Sequence, residues 1–258
     1  MAPLAAGALR VLRYALGVVG LPLLGMVGAE CGPKATAPPT SPAAAETAAT
    51  RAAREALLAD VERRDPGLSP RTLSALGAVP RHLFVPSATI EEAYANRALP
   101  IGHDQTISQP TVVAIMTDAL QLRGDESVLE VGTGSGYQAA VLSRLARRVY
   151  SIEIVAALAD EARARLAALG YANVTVRHGD GYEGWAEHAP FDRILLTAAP
   201  PELPPALVAQ LREGGVLVAP VGERDQSLYR WTKHAGGLTR EYLGAVRFVP
   251  MVPSDAAP

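Results

Sequence analysis

The chain has 258 residues, of which 49% are apolar, so a sizeable core can form, although aromatic residues contribute only 5%. Its 24 basic and 26 acidic residues give a net charge of −2, and this near balance provides no field that would attract nucleic acid. The single cysteine, Cys31, excludes an internal disulfide framework and a cysteine-rich zinc site. These limits favour one α/β domain of about 200 residues between less ordered ends.

The first 30 residues have the pattern of an export signal. Basic residues without any acid precede an apolar run over residues 14–27, and the small residues Gly28 and Ala29 follow it. This run is shorter than the roughly 20 residues that an apolar helix needs to cross a bilayer. We therefore expect residues 1–30 to direct export to the periplasm or cell envelope.

The sequence around Cys31 allows several first residues for the mature chain. Cys31 is placed for lipid attachment, although Glu30 stands where lipoprotein signals carry a small residue. One alternative is an uncleaved anchor, and another is a true start at Met26 or later, which would give a cytoplasmic protein. Membrane attachment is expected through this N-terminal part only. Residues 31–50 are rich in Ala, Pro, Thr and Ser and predict a flexible linker.

The domain that follows is predicted to begin with helices. An apolar stripe with helical spacing starts at Arg51, and helical patterns recur over 68–77 and 110–122. Between them, the prolines in residues 79–86 favour an extended segment.

From residue 127 onward, short apolar strands alternate with helices. The predicted strands are 127–131, 148–152, 174–177, 194–197 and 216–221, the helices 137–147, 155–169 and 204–211, and a final strand pair 228–233 and 243–249. This alternation predicts an α/β fold with a mainly parallel sheet, helices on both faces and an antiparallel edge. The predicted domain covers residues 51–253, and residues 254–258 are predicted to be a disordered tail.

Glycines follow the first strand of this sheet, and acids follow the next two. Gly132, Gly134 and Gly136 form a G-x-G-x-G loop, whose third glycine comes one position earlier than in the dinucleotide fingerprint. This spacing favours a ligand without a pyrophosphate, such as the amino-acid end of S-adenosylmethionine. Glu153 and Asp180 follow the next strands, where carboxylates can accept hydrogen bonds from ribose and adenine. Each residue alone is typical of a turn or a solvated strand end, but together they favour a nucleoside site.

Residues 99–110, LPIGHDQTISQP, form the most specific pattern in the chain. They resemble a segment of the protein-L-isoaspartate (D-aspartate) O-methyltransferase family. Other segments that resemble the family stand in the same order and extend the likeness over residues 69–250; they are 79–86, 130–137, 179–182, 197–201 and 247–250. The resemblance implies a Rossmann-like, S-adenosylmethionine-dependent methyltransferase.

The resemblance also implies a reaction and a set of site residues. The family transfers a methyl group from S-adenosylmethionine to the α-carboxylate of L-isoaspartyl residues, and also to D-aspartyl residues, in damaged proteins, which are the expected partners. The ester then cyclises to a succinimide that reopens partly to aspartate. By position, Ser108 is the expected catalytic residue, and no metal is expected. The expected cofactor-binding residues are Gln105, Thr106, Ile107, Glu130, Gly132, Thr133, Gly134, Gly136, Glu153, Asp180, Gly181 and Gln226. The expected substrate-binding residues are Thr197, Ala198, Ala199, Pro200 and Val249.

The chemistry of a carboxylate acceptor constrains these roles. With a reference pKa of about 3.5 the acceptor is ionised at neutral pH, so no general base is needed. We therefore expect Ser108 to orient the acceptor, with capping of the helix near Pro110 as its alternative role. His178 and His188 are expected at the surface.

Three alternatives to this function remain at the level of the sequence. They are a methyltransferase for another carboxylate, a non-catalytic S-adenosylmethionine-binding module in the cell envelope, and a nicotinamide-dependent enzyme. The early third glycine, Gly136, disfavours the nicotinamide enzyme.

Overall fold

The computed structural model describes residues 47–256. The predicted export signal, Cys31 and most of the predicted linker lie outside the described residues. The first described helix, α1 (Ala48–Arg64), begins before the predicted start because Thr47 and Thr50 form a capping box. Thr47 Oγ1 accepts from the Thr50 N–H at 3.1 Å, and Thr50 Oγ1 accepts from the Thr47 N–H at 2.8 Å. The linker prediction is therefore wrong over residues 48–50.

A helical layer and a small hairpin precede the main sheet. They comprise α2 (Pro70–Ala78), a 3₁₀ helix over Arg81–Phe84, α3 (Ile90–Ala93), the antiparallel strands β1 (Leu99–Gly102) and β2 (Gln105–Ile107), and α4 (Pro110–Ala119). The predicted extended segment over 79–86 is wrong, because the Pro80 carbonyl accepts from the Leu83 N–H at 3.0 Å and the chain turns there. The hairpin and α3 were not predicted, since such short elements carry no apolar period.

The main sheet has seven strands in the order β5-β4-β3-β6-β7-β8-β9. Its strands are β3 (Ser127–Val131), β4 (Arg148–Glu153), β5 (Val174–His178), β6 (Phe191–Leu196), β7 (Leu211–Val221), β8 (Gln226–His234) and β9 (Gly237–Val246). The helices between them are α5 (Tyr137–Ser143), α6 (Ala156–Ala168) and α7 (Pro205–Gln210). The first five strands in chain order are parallel, and β8 and β9 add the antiparallel edge. The predicted α/β fold is thus confirmed.

The strand order reverses beside β3. The chain runs outward from β3 through β4 to β5, and then crosses to β6 and β7 on the other side of β3. In open parallel sheets such a reversal opens a crevice at the carboxyl ends of the strands, where ligands bind. The loops after β3, β4 and β6 therefore meet at one edge.

Two apolar layers cover the two faces of the sheet. Successive side chains of a strand point to opposite faces, and on β3 Val128 packs into the larger cluster with the N-terminal helices, whereas Leu129 and Val131 pack into the smaller one. Glu130 lies on the same face as Val128 and is fully buried. The sheet edge that carries the glycine loop is therefore rigidly supported from both sides.

The C-terminal part is more ordered than predicted. Strand β9 begins at Gly237 rather than at residue 243, because its first residues pair with β8 at an exposed edge and show no apolar alternation. Instead of a disordered tail, Ser254–Ala256 forms a 3₁₀ helix, and the Ser254 N–H donates to Asp180 Oδ2 at 2.8 Å. Within residues 47–256, none of the helices has the length and apolarity required to span a bilayer.

Candidate active site

A cleft opens at the carboxyl ends of β3, β4 and β6. It contains about 670 Å³ of space free of atoms, part of it open to solvent. The main sheet contributes Gly132, Gly134, Glu153, Gly181 and Thr197 to its lining. The predicted donor site and part of the predicted acceptor site therefore share one cavity.

The glycine loop after β3 requires its glycines for steric reasons. Gly132 and Gly134 have φ angles of +97° and +52°, a region that disfavours residues with a Cβ. A Cβ on Gly132 would overlap the hydroxyl of Thr197, which donates to the carbonyls of Val131, at 3.0 Å, and Gly132. The loop is thus closely packed against the end of β6, and its main chain borders the cleft.

Glu153 is the only ionisable side chain among the cleft-lining residues of the described part. It ends β4 and is 5% exposed. Its Oε2 accepts from the Gly134 N–H at 2.7 Å, and its Oε1 accepts from the Val155 N–H at 3.0 Å. Each carboxylate oxygen has a second lone pair, so Glu153 can also accept hydrogen bonds from two vicinal hydroxyl groups.

Gly181 lines the cleft, whereas the neighbouring Asp180 does not. A Cβ on Gly181 would overlap the side chain of Val131. The Asp180 carboxylate accepts from the Tyr182 N–H at 2.8 Å through Oδ1 and from the Ser254 N–H at 2.8 Å through Oδ2. Asp180 is therefore held at the cleft margin by its own turn and by the C-terminal segment.

Three residues predicted to bind cofactor lie behind the loop instead of in the cleft. Glu130 is fully buried and accepts from the Ser151 hydroxyl, which lies 2.6 Å from Thr133 Oγ1. Burial raises the pKa of Glu130 to about 8, against the effect of the Ser151 hydrogen bond. A Cβ on Gly136 would come within 3.2 Å of Leu166 on α6. These residues support the glycine loop from the side of the core and do not line the cleft.

The β1–β2 hairpin supplies the opposite wall of the cleft. Gln105 and Thr106 line it, whereas Ile107 is 4% exposed and pairs with Leu99 of β1. The predicted loop residues are therefore split: two face the cleft and one anchors the hairpin in the core.

Ser108 follows the hairpin and is half-buried, without being among the lining residues. Within the described residues, its hydroxyl has no hydrogen-bond partner. The predicted alternative role in capping is not observed, because the N-cap of α4 is Gln109, and the Thr111 N–H in the first turn donates to Asn96 Oδ1 at 3.1 Å. The Ser108 carbonyl accepts from Arg81 Nη2 at 2.9 Å. The free hydroxyl leaves Ser108 available for a ligand.

The loop after β6 and the C-terminal segment build a third wall. Thr197, Ala198 and Val249 line the cleft. Ala199 is buried, and its N–H donates to the Val249 carbonyl at 2.9 Å. The Pro200 carbonyl accepts from the Gly222 N–H at 3.0 Å. Of the predicted substrate residues, the structure thus places three in the cleft and two in the support of this wall.

Gln226 lies outside the cleft lining and has a supporting role. It is 7% exposed, its Nε2 donates to the Phe248 carbonyl at 3.0 Å, and its Oε1 accepts from the Phe248 N–H at 2.5 Å. Because Phe248 bonds to both ends of the amide, Gln226 clamps the segment that carries Val249, and its predicted cofactor contact stays a prediction.

The sequence did not reveal the last part of the cleft. Pro250, Met251 and Val252 line it, and the Tyr182 hydroxyl donates to the Met251 carbonyl at 3.1 Å. The signal that could have shown this is the apolar run that continues beyond the 247–250 pattern. Among the residues described, no group of three or more His, Cys, Asp or Glu is placed to hold a metal ion.

Comparison with known proteins points to one family. The family model described as protein-L-isoaspartate (D-aspartate) O-methyltransferase matches residues 52–256. A protein-L-isoaspartate O-methyltransferase from Dictyoglomus turgidum is 55% identical over 184 residues, which cover 71% of this chain and 84% of that relative. One from Pectobacterium atrosepticum is 51% identical over 204 residues, covering 79% of this chain and 97% of the relative.

Solved structures show the same likeness. A protein-L-isoaspartate O-methyltransferase superposes with a TM-score of 0.72 at 30% identity, over 78% of this chain and 66% of that longer one. A Plasmodium falciparum structure, described as a putative protein-L-isoaspartate O-methyltransferase in complex with S-adenosyl-L-homocysteine, has a TM-score of 0.68 at 25% identity, over 77% of this chain and 98% of its own. With the match of the family model over most of the chain, these findings show that the chain belongs to the protein-L-isoaspartate (D-aspartate) O-methyltransferase family.

Proposed function

We propose that this chain transfers a methyl group from S-adenosylmethionine to the α-carboxylate of L-isoaspartyl residues, and also to D-aspartyl residues, in damaged proteins, which starts their repair through a succinimide. One observation supports this most directly. A single cleft joins the glycine loop and Glu153 to Gln105 and Thr106 of the hairpin and to the wall that carries Val249. A donor and an acceptor can therefore meet in it.

The donor side has the groups that a nucleoside with a charged amino-acid end needs. Glu153 has free lone pairs for ribose hydroxyls while its backbone contacts stay in place. The main chain at Gly132 and Gly134 borders the cleft without side chains, so a ligand can approach it closely. Gln105 and Thr106 line the cleft on the side of the hairpin, and we propose that they lie next to the sulfonium of the bound donor. When bound, S-adenosylmethionine supplies an activated methyl group.

The acceptor side needs orientation more than acid–base chemistry. The α-carboxylate is ionised at neutral pH because its reference pKa is about 3.5. It attacks as the anion, and the described lining residues accordingly include no histidine, lysine or arginine. We assign to Ser108 the donation of its free hydroxyl to this carboxylate, a hydrogen bond to a charged group of about 1.5–3 kcal/mol. Holding donor and acceptor in alignment supplies the larger share, roughly 7–11 kcal/mol in well-oriented reactions.

The test is transfer of labelled methyl from S-adenosylmethionine to an isoaspartyl peptide and to its aspartyl twin. Transfer to the isoaspartyl peptide alone supports the proposal. Transfer to both peptides, or only to a small carboxylate, would establish the rival in which the same fold methylates another carboxylate. Binding of the donor by calorimetry without any transfer would establish the non-catalytic module.

We further propose that the chain is exported and that only its N-terminal part attaches it to a membrane. The support is the pattern of residues 1–30 together with the start of the family match at residue 52, which leaves the preceding segment additional to the matched domain. Fractionation of cells that express the full chain or a chain without residues 1–30 tests this. Recovery of both in the cytoplasm would contradict export, and identical processing and fractionation of Cys31→Ala would contradict lipid attachment at Cys31.

A further inference from the structure

Arg81 is a charged residue at the centre of the N-terminal layer. It begins the 3₁₀ helix and is 0% exposed. Its Nε donates to the Ala93 carbonyl at 2.9 Å, and its Nη2 donates to the carbonyls of Ser108 at 2.9 Å and Arg97 at 3.3 Å. One side chain thus ties together three backbone segments that are distant in sequence, and one of them carries the proposed catalytic serine.

This arrangement has a cost in stability. No carboxylate of the described residues pairs with Arg81, and burial lowers the pKa of its guanidinium against the opposing effect of the neighbouring Tyr137 and Tyr94 phenols. Its Nη1 has no hydrogen-bond acceptor in the described part of the chain. A buried charge without an ion partner carries a desolvation penalty, and an apolar side chain of similar volume would avoid that penalty but would leave the three carbonyls without this donor. The forked geometry of the guanidinium, which holds several acceptors at fixed angles, is what such a replacement would lose.

The same guanidinium also contacts the donor side of the cleft. Its Cζ lies 4.8 Å from the centre of the Tyr137 ring. Tyr137 is the first residue of α5 and directly follows Gly136 of the glycine loop. Arg81 is therefore in contact both with the segment of Ser108 and with the helix that the glycine loop enters, so it can set the distance between them.

We propose that Arg81 is a positioning residue, which fixes the backbone of Ser108 and so places the serine hydroxyl relative to the methyl donor. This inference rests on the proposed function. The Ser108 hydroxyl has no hydrogen bond of its own within the described residues, so its place depends on its backbone. A misplacement of about 1 Å at a reacting centre can lower a rate by about a hundredfold. Loss of the Arg81 fork therefore lowers transfer while donor binding, which uses the loop ends of β3 and β4, persists.

The experiment compares Arg81→Met and Arg81→Lys with a matched buried arginine. Arg193 is 7% exposed, and its Nε also donates to a backbone carbonyl, that of Leu120, at 2.6 Å, but it lies outside the cleft lining. We expect Arg81→Met to lower kcat/KM for the isoaspartyl peptide by about 10- to 100-fold, with the Kd of S-adenosylhomocysteine changed by less than about threefold. Arg81→Lys, which keeps the charge without the fork, should lie between Arg81→Met and the unchanged protein. Arg193→Met should lower the melting temperature and change kcat/KM by less than about threefold.

A double-mutant cycle with Ser108→Ala separates positioning from general loss of structure. If Arg81 acts through Ser108, Arg81→Met in the Ser108→Ala background lowers kcat/KM by less than about a further threefold. Full additivity of the two losses would overturn the inference. Loss of S-adenosylhomocysteine binding in both Arg81 variants would also overturn it, as would an equal loss of activity in Arg193→Met. If the unchanged protein methylates the isoaspartyl peptide, these failures concern Arg81 alone; if it does not, the proposed function fails with it.

Discussion

Replacement of Glu153 by Gln tests the donor side of the cleft. Its two carboxylate oxygens accept from the N–H groups of Gly134 and Val155, at 2.7 and 3.0 Å. A glutamine offers one oxygen and one NH₂ group in the same space. Whichever way the amide lies, one backbone N–H then faces a donor, and one acceptor for a ribose hydroxyl is lost.

The size of the effect follows from this loss. Glu153 is 5% exposed, so water does not easily replace the missing acceptor. A hydrogen bond to a charged group contributes about 1.5–3 kcal/mol. Since about 1.4 kcal/mol corresponds to a factor of ten in Kd, the affinity for S-adenosylmethionine should fall about 10- to 150-fold.

Titration calorimetry with S-adenosylmethionine and S-adenosylhomocysteine measures this change. The matched control is Glu161→Gln, because Glu161 lies on α6 outside the cleft lining, its side chain is 55% exposed and its carboxylate is 3.8 Å from Arg165. An exposed ion pair contributes about 0–1 kcal/mol, so this control should leave Kd within about twofold. If Glu153→Gln bound both ligands within about threefold of the unchanged protein, Glu153 would not hold the donor and the assignment would be refuted.

Three further changes probe the cleft and the residues around it. Ser108→Ala should lower turnover about 10- to 100-fold without abolishing it, as expected for one hydrogen bond to the acceptor carboxylate. Single-turnover methyl transfer measures this change. An inert protein that still binds the donor would show that the serine does more than orient the acceptor. Gly181→Ala should lower the free energy of unfolding by about 1–3 kcal/mol, because its Cβ would overlap Val131. Urea denaturation measures this loss, with Gly236→Ala as the control because a Cβ there meets no atom within 4 Å. Equal stability of the two variants would contradict the prediction. Burial raises the pKa of Glu130 from 4.5 to about 8, so between these pH values the folded protein retains a proton that the unfolded chain releases. The stability that Glu130 contributes is therefore fully present below pH 4.5 and is lost as pH rises towards 8. Glu130→Gln should flatten this decline, and an unchanged pH profile of unfolding would show that Glu130 titrates normally.

The sheet and its ligand-facing loops could be predicted from the sequence because their signals are local. The bounds predicted for β3 agree with Ser127–Val131, since an apolar run that ends in glycines marks both the strand and its turn. Glu153 and Gly181 could be placed at the same edge because parallel strands end together. These predictions need only the periodicity of one element and the rule that joins neighbouring elements.

The remaining features depend on contacts between distant parts of the chain. The partners of Asp180 and Gln226 include Ser254 and Phe248, and no local pattern indicates that a strand-end acid or a buried amide is already engaged. The burial of Arg81 is equally invisible, because an arginine between prolines is typical of an exposed turn. The sequence therefore indicated which residues stand near the cleft more reliably than which of them are free to bind.

These distant contacts converge at the C-terminal segment, which hydrogen-bonds both to the proposed substrate wall and to Asp180 at the cleft margin. The Met251 N–H donates to the Ala199 carbonyl at 2.8 Å, on the proposed substrate wall. The Ser254 N–H donates to Asp180 at 2.8 Å, at the proposed adenosine end. Because only two residues separate these hydrogen-bonded anchors, a displacement at one is transmitted to the other over a short stretch of chain. The two proposed sites are therefore not independent surfaces: the segment that borders the proposed substrate wall also holds Asp180 at the cleft margin.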